Sequence, residues 1–245
     1  MHPQNNVRIF PNIETLSKAA ADFVLLTALQ AVKNNNSFSI VLSGGSTPEK
    51  LFTLLAQSPY REEMPWTQTH VFWGDERCVP LNDERNNAHN AINTLLSKVP
   101  IPTQNIHRIQ TNLPPKEAAI GYVNELEAFA QGHTPSFDLV LLGMGDDGHT
   151  ASLFPGTDVL EDQVSWVKEV YVPQQQMSRV TMMPHLINQA HNILFLVSGS
   201  NKSKPLADIL SSSDSGYFYP AQLIKPTNGK MFWFIDEAAA AGFTS

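Results

Sequence analysis

Short apolar runs alternate with longer amphipathic stretches along this chain of 245 residues, and no internal repeat is present. Strands that alternate with helices of roughly 10–17 residues form βαβ units, in which the strands lie parallel within one sheet. The run at 137–142, FDLVLL, is apolar at nearly every position, which is typical of a strand covered on both faces. The sequence therefore predicts an α/β fold with a mainly parallel sheet.

The individual elements are predicted from the period of the apolar positions and from capping residues such as Asn12. Strands are predicted at 37–42, 70–73, 137–142, 165–172, 192–197 and 230–235. Helices are predicted at 12–33, 48–57, 86–98 and 114–130, near Leu186, and between Asn201 and Leu210. The Pro-rich patches between these elements are too short to be domain linkers, so one domain is predicted over residues 1–245.

The charge balance is acidic, with 16 Lys and Arg against 23 Asp and Glu and a formal net charge of −7. Proteins that bind nucleic acids usually need a basic face to neutralise phosphates, so the sequence predicts no nucleic-acid partner. A local basic pocket for a small anion is still compatible with this balance. The single cysteine, Cys78, excludes an internal disulfide and a metal site built from several thiolates.

No targeting segment is recognised in the sequence. The first ten residues, MHPQNNVRIF, lack the apolar segment of a secretory signal. No continuous apolar run approaches the ~20 residues that a membrane helix needs. We therefore expect a cytoplasmic protein without a membrane partner, either a monomer or a small homo-oligomer.

Parallel sheets bind ligands beyond the carboxyl ends of their strands, so the residues that follow each predicted strand are candidates for a site. The strand at 37–42 is followed by Ser43, Gly44 and Gly45, and then by Ser-Thr-Pro-Glu. The two glycines permit a tight turn with exposed N–H groups, and Thr47 is expected to cap a helix with Pro48 at its first position. This pattern is typical of an anion site at a helix start, but an ordinary strand-to-helix turn uses the same residues.

Charged residues follow the strand at 70–73. Arg77 offers a planar set of donors for a carboxylate, phosphate or carbonyl oxygen, and Asp75 or Glu76 could hold it in place. The alternative is a solvated loop. The position at the end of a strand favours a role in binding.

The most informative segment is 142–156, LGMGDDGHTASLFPG, which follows the strand at 137–142. Its glycines match G-x-G-x-x-G, but Asp146 and Asp147 would lie against a doubly charged pyrophosphate, and Pro155 interrupts the helix that a dinucleotide site needs. Catalysis explains the segment better. His149 can exchange a proton near neutral pH, and Asp147, two residues earlier, can orient the imidazole and support its charged form.

Two other kinds of site are not supported by the sequence. No Ser lies in the G-x-S-x-G pattern of a serine esterase, so Ser43 and Ser152 are interpreted as hydrogen-bonding groups. No metal site is predicted, because the remaining histidines form no H-E-x-x-H motif and no cluster with ligand spacing. These histidines are His2, His70, His89, His107, His133, His185 and His191.

Two further cations are candidates for binding an anionic substrate. Arg179 lies within MSRVT, and Lys202 follows the predicted strand at 192–197, at the start of a predicted helix. A cation at a helix N-terminus is mildly unfavourable unless an anion lies between the two, which favours a binding role for Lys202. A solvated surface lysine is the alternative.

These segments, in this order, resemble the glucosamine-6-phosphate isomerase/6-phosphogluconolactonase family, in its lactonase branch. The matching pieces are SGGSTP at 43–48, GDERCVP at 74–80, LGMGDDGHTASLFPG at 142–156, SRVT at 178–181 and GSNK at 199–202. The resemblance implies a Rossmann-like three-layer sandwich with a mainly parallel sheet. It also implies hydrolysis of 6-phosphoglucono-1,5-lactone to 6-phosphogluconate, the second step of the oxidative pentose phosphate pathway, without a cofactor or metal ion.

The resemblance also implies roles for individual residues. His149 matches the general base that activates water, Asp147 the acidic residue beside it, and Arg77 an arginine that lines the site. Arg179 and Lys202 match cations that hold the phosphate. The expected substrate-binding set is completed by a backbone loop and one carboxylate: Ser43, Gly44, Gly45 and Asp75. Which of the glycine amides or Arg77 receives the tetrahedral oxyanion is left open.

Two other functions are compatible with parts of this pattern. The sister branch isomerises and deaminates glucosamine 6-phosphate and has a Glu a few residues after the His, whereas here Phe154 takes that place and 150–154 holds no carboxylate. A non-catalytic sugar-phosphate sensor that regulates transcription would need a DNA-binding module. Only residues 1–36 leave room for one, and they contain a single predicted helix with few basic residues. The lactonase is therefore preferred.

Overall fold

The strands divide between a six-stranded parallel sheet and a three-stranded antiparallel sheet. The structure, a computed structural model, describes residues 6–211 and 218–242. Its strands are β1 (Val7–Phe10), β2 (Phe38–Leu42), β3 (Thr69–Trp73), β4 (Asp75–Arg77), β5 (Leu139–Leu142), β6 (Val167–Val172), β7 (Met177–Met182), β8 (Asn192–Val197) and β9 (Lys230–Asp236). Its helices are α1 (Ile13–Asn35), α2 (Ser46–Leu55), α3 (Tyr60–Glu63), α4 (Asn87–Thr94), α5 (Pro115–Phe129), α6 (Pro184–Ile187), α7 (Ser203–Leu210) and α8 (Glu237–Ala240).

The parallel sheet has the strand order β1-β9-β8-β5-β2-β3 and is flanked by helices, which confirms the predicted fold class. Two of its interior strands, β2 and β5, are buried at every position, and for β5 this is what the apolar run at 137–142 indicated. Strand β8 spans the predicted residues, and β2, β3, β5 and β9 each lie within two residues of their predicted bounds. The carboxyl ends of β2, β5 and β8 consequently meet at one edge.

Helix α1 begins after Asn12, whose side chain accepts a hydrogen bond from the Thr15 N–H at 2.9 Å, so the predicted cap is confirmed. By length and composition alone this 23-residue helix could cross a membrane, a property that core helices of globular proteins share. Here its buried side chains, among them Leu16, Ala20 and Val24, pack against the sheet.

The antiparallel sheet, in the order β4-β7-β6, was not expected from the sequence. It begins where the chain leaves the parallel sheet at Gly74, whose N–H donates to the Leu42 carbonyl at 3.0 Å while its carbonyl accepts from the Met182 N–H at 2.7 Å. The alternative of a solvated loop at 75–77 is therefore wrong, because these residues form β4. Three charged residues show no strand pattern, and their pairing partner lies far along the chain.

Strand β3 is the outermost strand of the parallel sheet, and its free edge is covered. The phenol oxygen of Tyr122, on α5, accepts from the Trp73 N–H at 2.9 Å and donates to the Trp73 carbonyl at 3.1 Å. Further back, the His107 N–H donates to the Val71 carbonyl at 2.9 Å. The backbone of β3 therefore finds partners on both sides.

Candidate active site

A cavity of about 320 Å³ opens where the carboxyl ends of β2, β5 and β8 meet the antiparallel sheet. This is at the lower end of the volume range of small-molecule sites. Eight of the nine residues proposed from the sequence line it: Ser43, Gly44, Gly45, Asp75, Arg77, His149, Arg179 and Lys202. The ninth, Asp147, contacts the cavity through His149.

His149 and Asp147 form a hydrogen-bonded pair in the loop after β5. Nδ1 of His149 lies 2.5 Å from Oδ1 of Asp147, and the same oxygen accepts from the His149 N–H at 3.0 Å. Partial burial works to raise the pKa of Asp147, but the hydrogen bond and charge of His149 outweigh it and the net shift is downward. An ionised Asp147 fixes the proton on Nδ1, so that Nε2 is the nitrogen able to accept one.

The pair depends on a close approach of backbone at Gly145. A Cβ on Gly145 would lie 2.1 Å from Nδ1 of His149 and 2.6 Å from Oδ1 of Asp147. The Gly145 N–H also donates to the His149 carbonyl at 2.8 Å, which closes the loop. A side chain at this position would displace the imidazole.

Phe154 contacts both the imidazole of His149 and the guanidinium of Arg179. Its ring stacks on that of His149 with the centroids 3.9 Å apart and the planes at 22°. The guanidinium carbon of Arg179 lies 5.2 Å from the Phe154 centroid. Since the imidazole covers one face at 3.9 Å, we assign the guanidinium to the other face, where cation–π attraction holds it.

Arg179 belongs to a buried polar cluster with Asp75 and Ser152. Its Nη1 lies 3.5 Å from Oδ2 of Asp75 and donates to the Ser152 hydroxyl at 3.2 Å, while that hydroxyl donates to Asp75 at 2.5 Å. Burial lowers the pKa of Arg179, although the charge of Asp75 opposes the shift. Asp75 thus holds Arg179, on the neighbouring strand, and not Arg77 as expected. Glu76 contacts the main-chain N–H of Arg77 and not its guanidinium.

Arg77 and Arg179 are cross-strand partners in the β4–β7 ladder and both line the cavity. Like charges directly opposite each other are destabilising by themselves. Arg77 donates to the Arg85 carbonyl at 2.7 Å, and Arg179 also donates to Gln175, but the buried Nε of each has no partner in the described chain. Two neighbouring guanidinium groups with donors left over are suited to binding an anion.

The loop after β2 contributes backbone N–H groups. Helix α2 starts at Ser46 behind Gly45, whose φ of 107° makes glycine the favoured residue, and Pro48 is at the third helical position. The predicted Thr47 cap is therefore wrong, because Gly45 lets the helix begin earlier. No acceptor within residues 6–211 or 218–242 takes a hydrogen bond from the N–H groups of Gly44, Gly45, Ser46 or Thr47.

Lys202 lies in a short 3₁₀ turn, Ser200–Lys202, which leads into α7. It lines the same cavity, and its ammonium group forms no ion pair or hydrogen bond with the described part of the chain. A cation that lies near a helix start and has no partner is suited to a bound anion, as the sequence predicts for Lys202.

Sequence reasoning missed three residues around the cavity: Glu76 as a structural anchor, Asn87 and Gln175. Glu76, 1% exposed, accepts from the N–H groups of Arg77, Asn87 and Ala88 at 2.7–2.8 Å. Asn87 and Gln175 line the cavity. The Asn-Asn pair at the start of α4 was a visible capping signal, but nothing local indicated that Asn87 reaches the site.

The described residues contain no group of three or more His, Cys, Asp or Glu side chains arranged to hold a metal ion. His2 lies outside the described residues. The absence of a metal and of a cofactor remains a prediction.

Comparison with known proteins gives matches along nearly the whole chain. A family model for glucosamine-6-phosphate isomerases/6-phosphogluconolactonase matches residues 11–233. Proteins named 6-phosphogluconolactonase from Nostoc sp. and Synechocystis sp. are 37% and 39% identical over 244 and 245 residues, covering 97% and 98% of this chain and 98% of each relative. The crystal structure of 6-phosphogluconolactonase from Thermotoga maritima has a TM-score of 0.82 at 28% identity, covering 95% of this chain and 99% of that one.

Proposed function

The chain belongs to the glucosamine-6-phosphate isomerase/6-phosphogluconolactonase family, and on that premise we propose that it hydrolyses 6-phosphoglucono-1,5-lactone to 6-phosphogluconate, with His149 as the general base. The family relation supports an enzyme that hydrolyses a lactone ester in the oxidative pentose phosphate pathway. The single observation that carries the mechanism is the His149–Asp147 pair at the wall of a cation-rich cavity.

In the proposed reaction, Nε2 of His149 takes a proton from water as the water oxygen attacks the lactone carbonyl carbon. The resulting tetrahedral oxyanion is stabilised by donors in the cavity, either Arg77 or the glycine amides. The bond from this carbon to the ring oxygen then breaks, and the imidazolium returns its proton to the leaving oxygen. Asp147 stabilises the imidazolium between these two proton transfers.

Binding of the substrate's phosphate is assigned to the cations of the cavity. Arg179 and Lys202 hold the phosphate together with the unpaired N–H groups at the start of α2, an arrangement suited to a dianion. Asp75 completes the substrate-binding set through its contact with Arg179. Three cations, Arg77, Arg179 and Lys202, and one carboxylate, Asp75, line the cavity. The cavity is therefore locally positive, although the chain as a whole is acidic.

The isomerase activity of the sister branch is disfavoured by Phe154. Opening an amino-sugar ring needs a carboxylate near the base, and Phe154 instead stacks on His149. A lactone presents its electrophilic carbon without ring opening, so the described groups suffice. A DNA-binding sensor is disfavoured because β1 and α1, the described elements before residue 36, belong to the sheet and its packing.

The test is the initial rate of hydrolysis of freshly generated 6-phosphoglucono-1,5-lactone by the purified protein, with the spontaneous rate subtracted. EDTA is included, and a rate above background that EDTA does not alter is the expected result. No acceleration would reject the lactonase. Glucosamine 6-phosphate deamination in the same preparation is the comparison assay, and activity there would favour the sister branch.

The remaining attributes stay proposals. We propose one domain over residues 1–245, a cytoplasmic location, and a monomer or small homo-oligomer with a small-molecule substrate and neither nucleic-acid nor membrane partners. Size-exclusion chromatography with light scattering measures the oligomeric state.

A further inference from the structure

The side-chain amide of Asn87 is buried in the cavity wall between two segments that carry candidate residues. Asn87 is 3% exposed, and its Nδ2 donates to the Asp75 carbonyl at 3.0 Å. Its Oδ1 has no hydrogen-bond partner in the part of the chain that the structure describes. A buried amide oxygen without a hydrogen-bond partner is unusual, so another contact must explain why the Asn87 side chain lies here.

That reason is contact with Gly44. A Cβ on Gly44 would lie 1.9 Å from Oδ1 of Asn87, and the three nearest heavy atoms all belong to the Asn87 amide. The φ of Gly44 is outside the left-handed region, so the contact and not the backbone conformation requires glycine here. The amide therefore sets how closely the loop after β2 approaches β4.

Asn87 is also held through its main chain. The buried carboxyl group of Glu76 accepts from the N–H groups of Asn87 at 2.7 Å and Ala88 at 2.8 Å, which ties the first turn of α4 to β4. The Asn87 amide then reaches from Asp75 on β4 to Gly44 on the loop. Neither end of this bridge can shift without breaking a hydrogen bond or a packed contact.

We propose that Asn87 is a positioning residue: it fixes the Gly44–Gly45 loop so that the N–H groups of 44–47 converge with Arg179 and Lys202 on the phosphate of the substrate. The identity of the substrate rests on the proposed function. The anion-binding part does not, because it concerns only the loop, the cations and a phosphate group.

A double-mutant cycle over Gly44→Ala and Asn87→Ala tests this coupling. The dissociation constant of inorganic phosphate is measured by calorimetry, with KM and kcat for the phosphorylated and a non-phosphorylated lactone, and Tm for each variant. Gly44→Ala should weaken phosphate binding about tenfold, since its methyl group displaces the amide, and Asn87→Ala about threefold. The double variant should bind no more weakly than Gly44→Ala, because truncating Asn87 removes the obstructing atoms.

Two matched controls are available in the chain. Gly121→Ala on α5 adds a methyl group where no atom lies within 4 Å, and Asn93→Ala removes an exposed amide on α4. Both should retain the wild-type phosphate affinity and kinetics. Asn87→Ala should raise KM for the phosphorylated lactone more than for the other lactone, with an unchanged Tm, whereas a merely structural role would lower Tm and affect both substrates alike.

Multiplicative effects in the cycle, or wild-type phosphate affinity in Asn87→Ala, would overturn the proposal. If Gly44→Ala does not fold, the KM difference between the two lactones in Asn87→Ala decides. The two proposals can fail separately. If the cycle shows the expected coupling in phosphate binding but the wild-type protein hydrolyses neither lactone, the proposed function is rejected and this inference stands.

Discussion

Replacing Asp147 with asparagine removes a charge from the proposed catalytic pair and keeps the size of the side chain. In the wild type, Oδ1 of Asp147 lies 2.5 Å from Nδ1 of His149. In the proposed mechanism this carboxylate stabilises the imidazolium that forms when His149 takes a proton. The amide of the substituted side chain carries no charge, so the imidazolium state becomes less favourable. The variant should therefore be slowed in the chemical step.

The magnitude follows from the geometry and exposure of the pair. A hydrogen bond to a charged group contributes about 1.5–3 kcal/mol, and a tenfold change in rate corresponds to about 1.4 kcal/mol. The Asp147 side chain is 41% exposed, and solvent screening places its effect in the lower half of this range. We expect kcat to fall about 10- to 30-fold, with little change in KM, since Asp147 does not line the cavity.

The assay is steady-state hydrolysis of the phosphorylated lactone, followed by proton release against the spontaneous rate. Asp146→Asn is the matched control, because Asp146 is exposed and forms no hydrogen bond or ion pair with residues 6–211 or 218–242. It should retain the wild-type kcat. A kcat for Asp147→Asn within twofold of wild type, or an equal loss in both variants, would refute the assigned role.

Four further changes have expected outcomes. His149→Ala should lower kcat at least about 10²-fold with an unchanged Tm, and a wild-type kcat would remove it from the mechanism. Arg179→Ala should raise KM for the phosphorylated lactone about 10- to 10²-fold and spare a non-phosphorylated lactone; equal losses on both would contradict phosphate binding. Tyr122→Phe leaves the Trp73 N–H buried without a partner and should lower the free energy of unfolding in urea by about 1–3 kcal/mol. An unchanged midpoint would mean that water replaces the phenol. Burial raises the pKa of Glu76 from 4.5 to about 7, so the free energy of unfolding should fall as pH rises between these values. Glu76→Gln should lack this part of the slope. Parallel pH profiles of unfolding free energy for the variant and the wild type would argue against a neutral Glu76.

The parts of the fold that the sequence predicted best are those with a strong local pattern. Strand β8 is a continuous apolar run with polar residues at both ends, and its bounds were predicted to the residue. Strands β1, β4 and β7 were missed. Each lacks a continuous apolar run, and β4 and β7 are fixed as strands by pairing with each other across 104 residues of sequence.

The candidate site was predictable to the extent that glycine-rich loops follow apolar strands. His149, Asp147 and the Gly44–Gly45 loop were identified in this way, and the structure brings them to one cavity. The partners of these residues were not predictable. Contacts such as that between Asn87 and Gly44 depend on how α4 packs beside the loop, and a single sequence carries no signal for that approach.

The phenol of Tyr122 has a consequence for the colloidal behaviour of the protein. Strand β3, THVFW, is rich in β-branched and aromatic residues and carries neither proline nor a carboxylate, lysine or arginine, and it lies at the edge of its sheet. An unprotected edge of this composition is a template for strands of other molecules. Because Tyr122 occupies the N–H and carbonyl of Trp73, this part of the edge is not open to pairing with a strand of another molecule. Variants at this position should therefore aggregate at concentrations where their loss of stability alone would leave them folded.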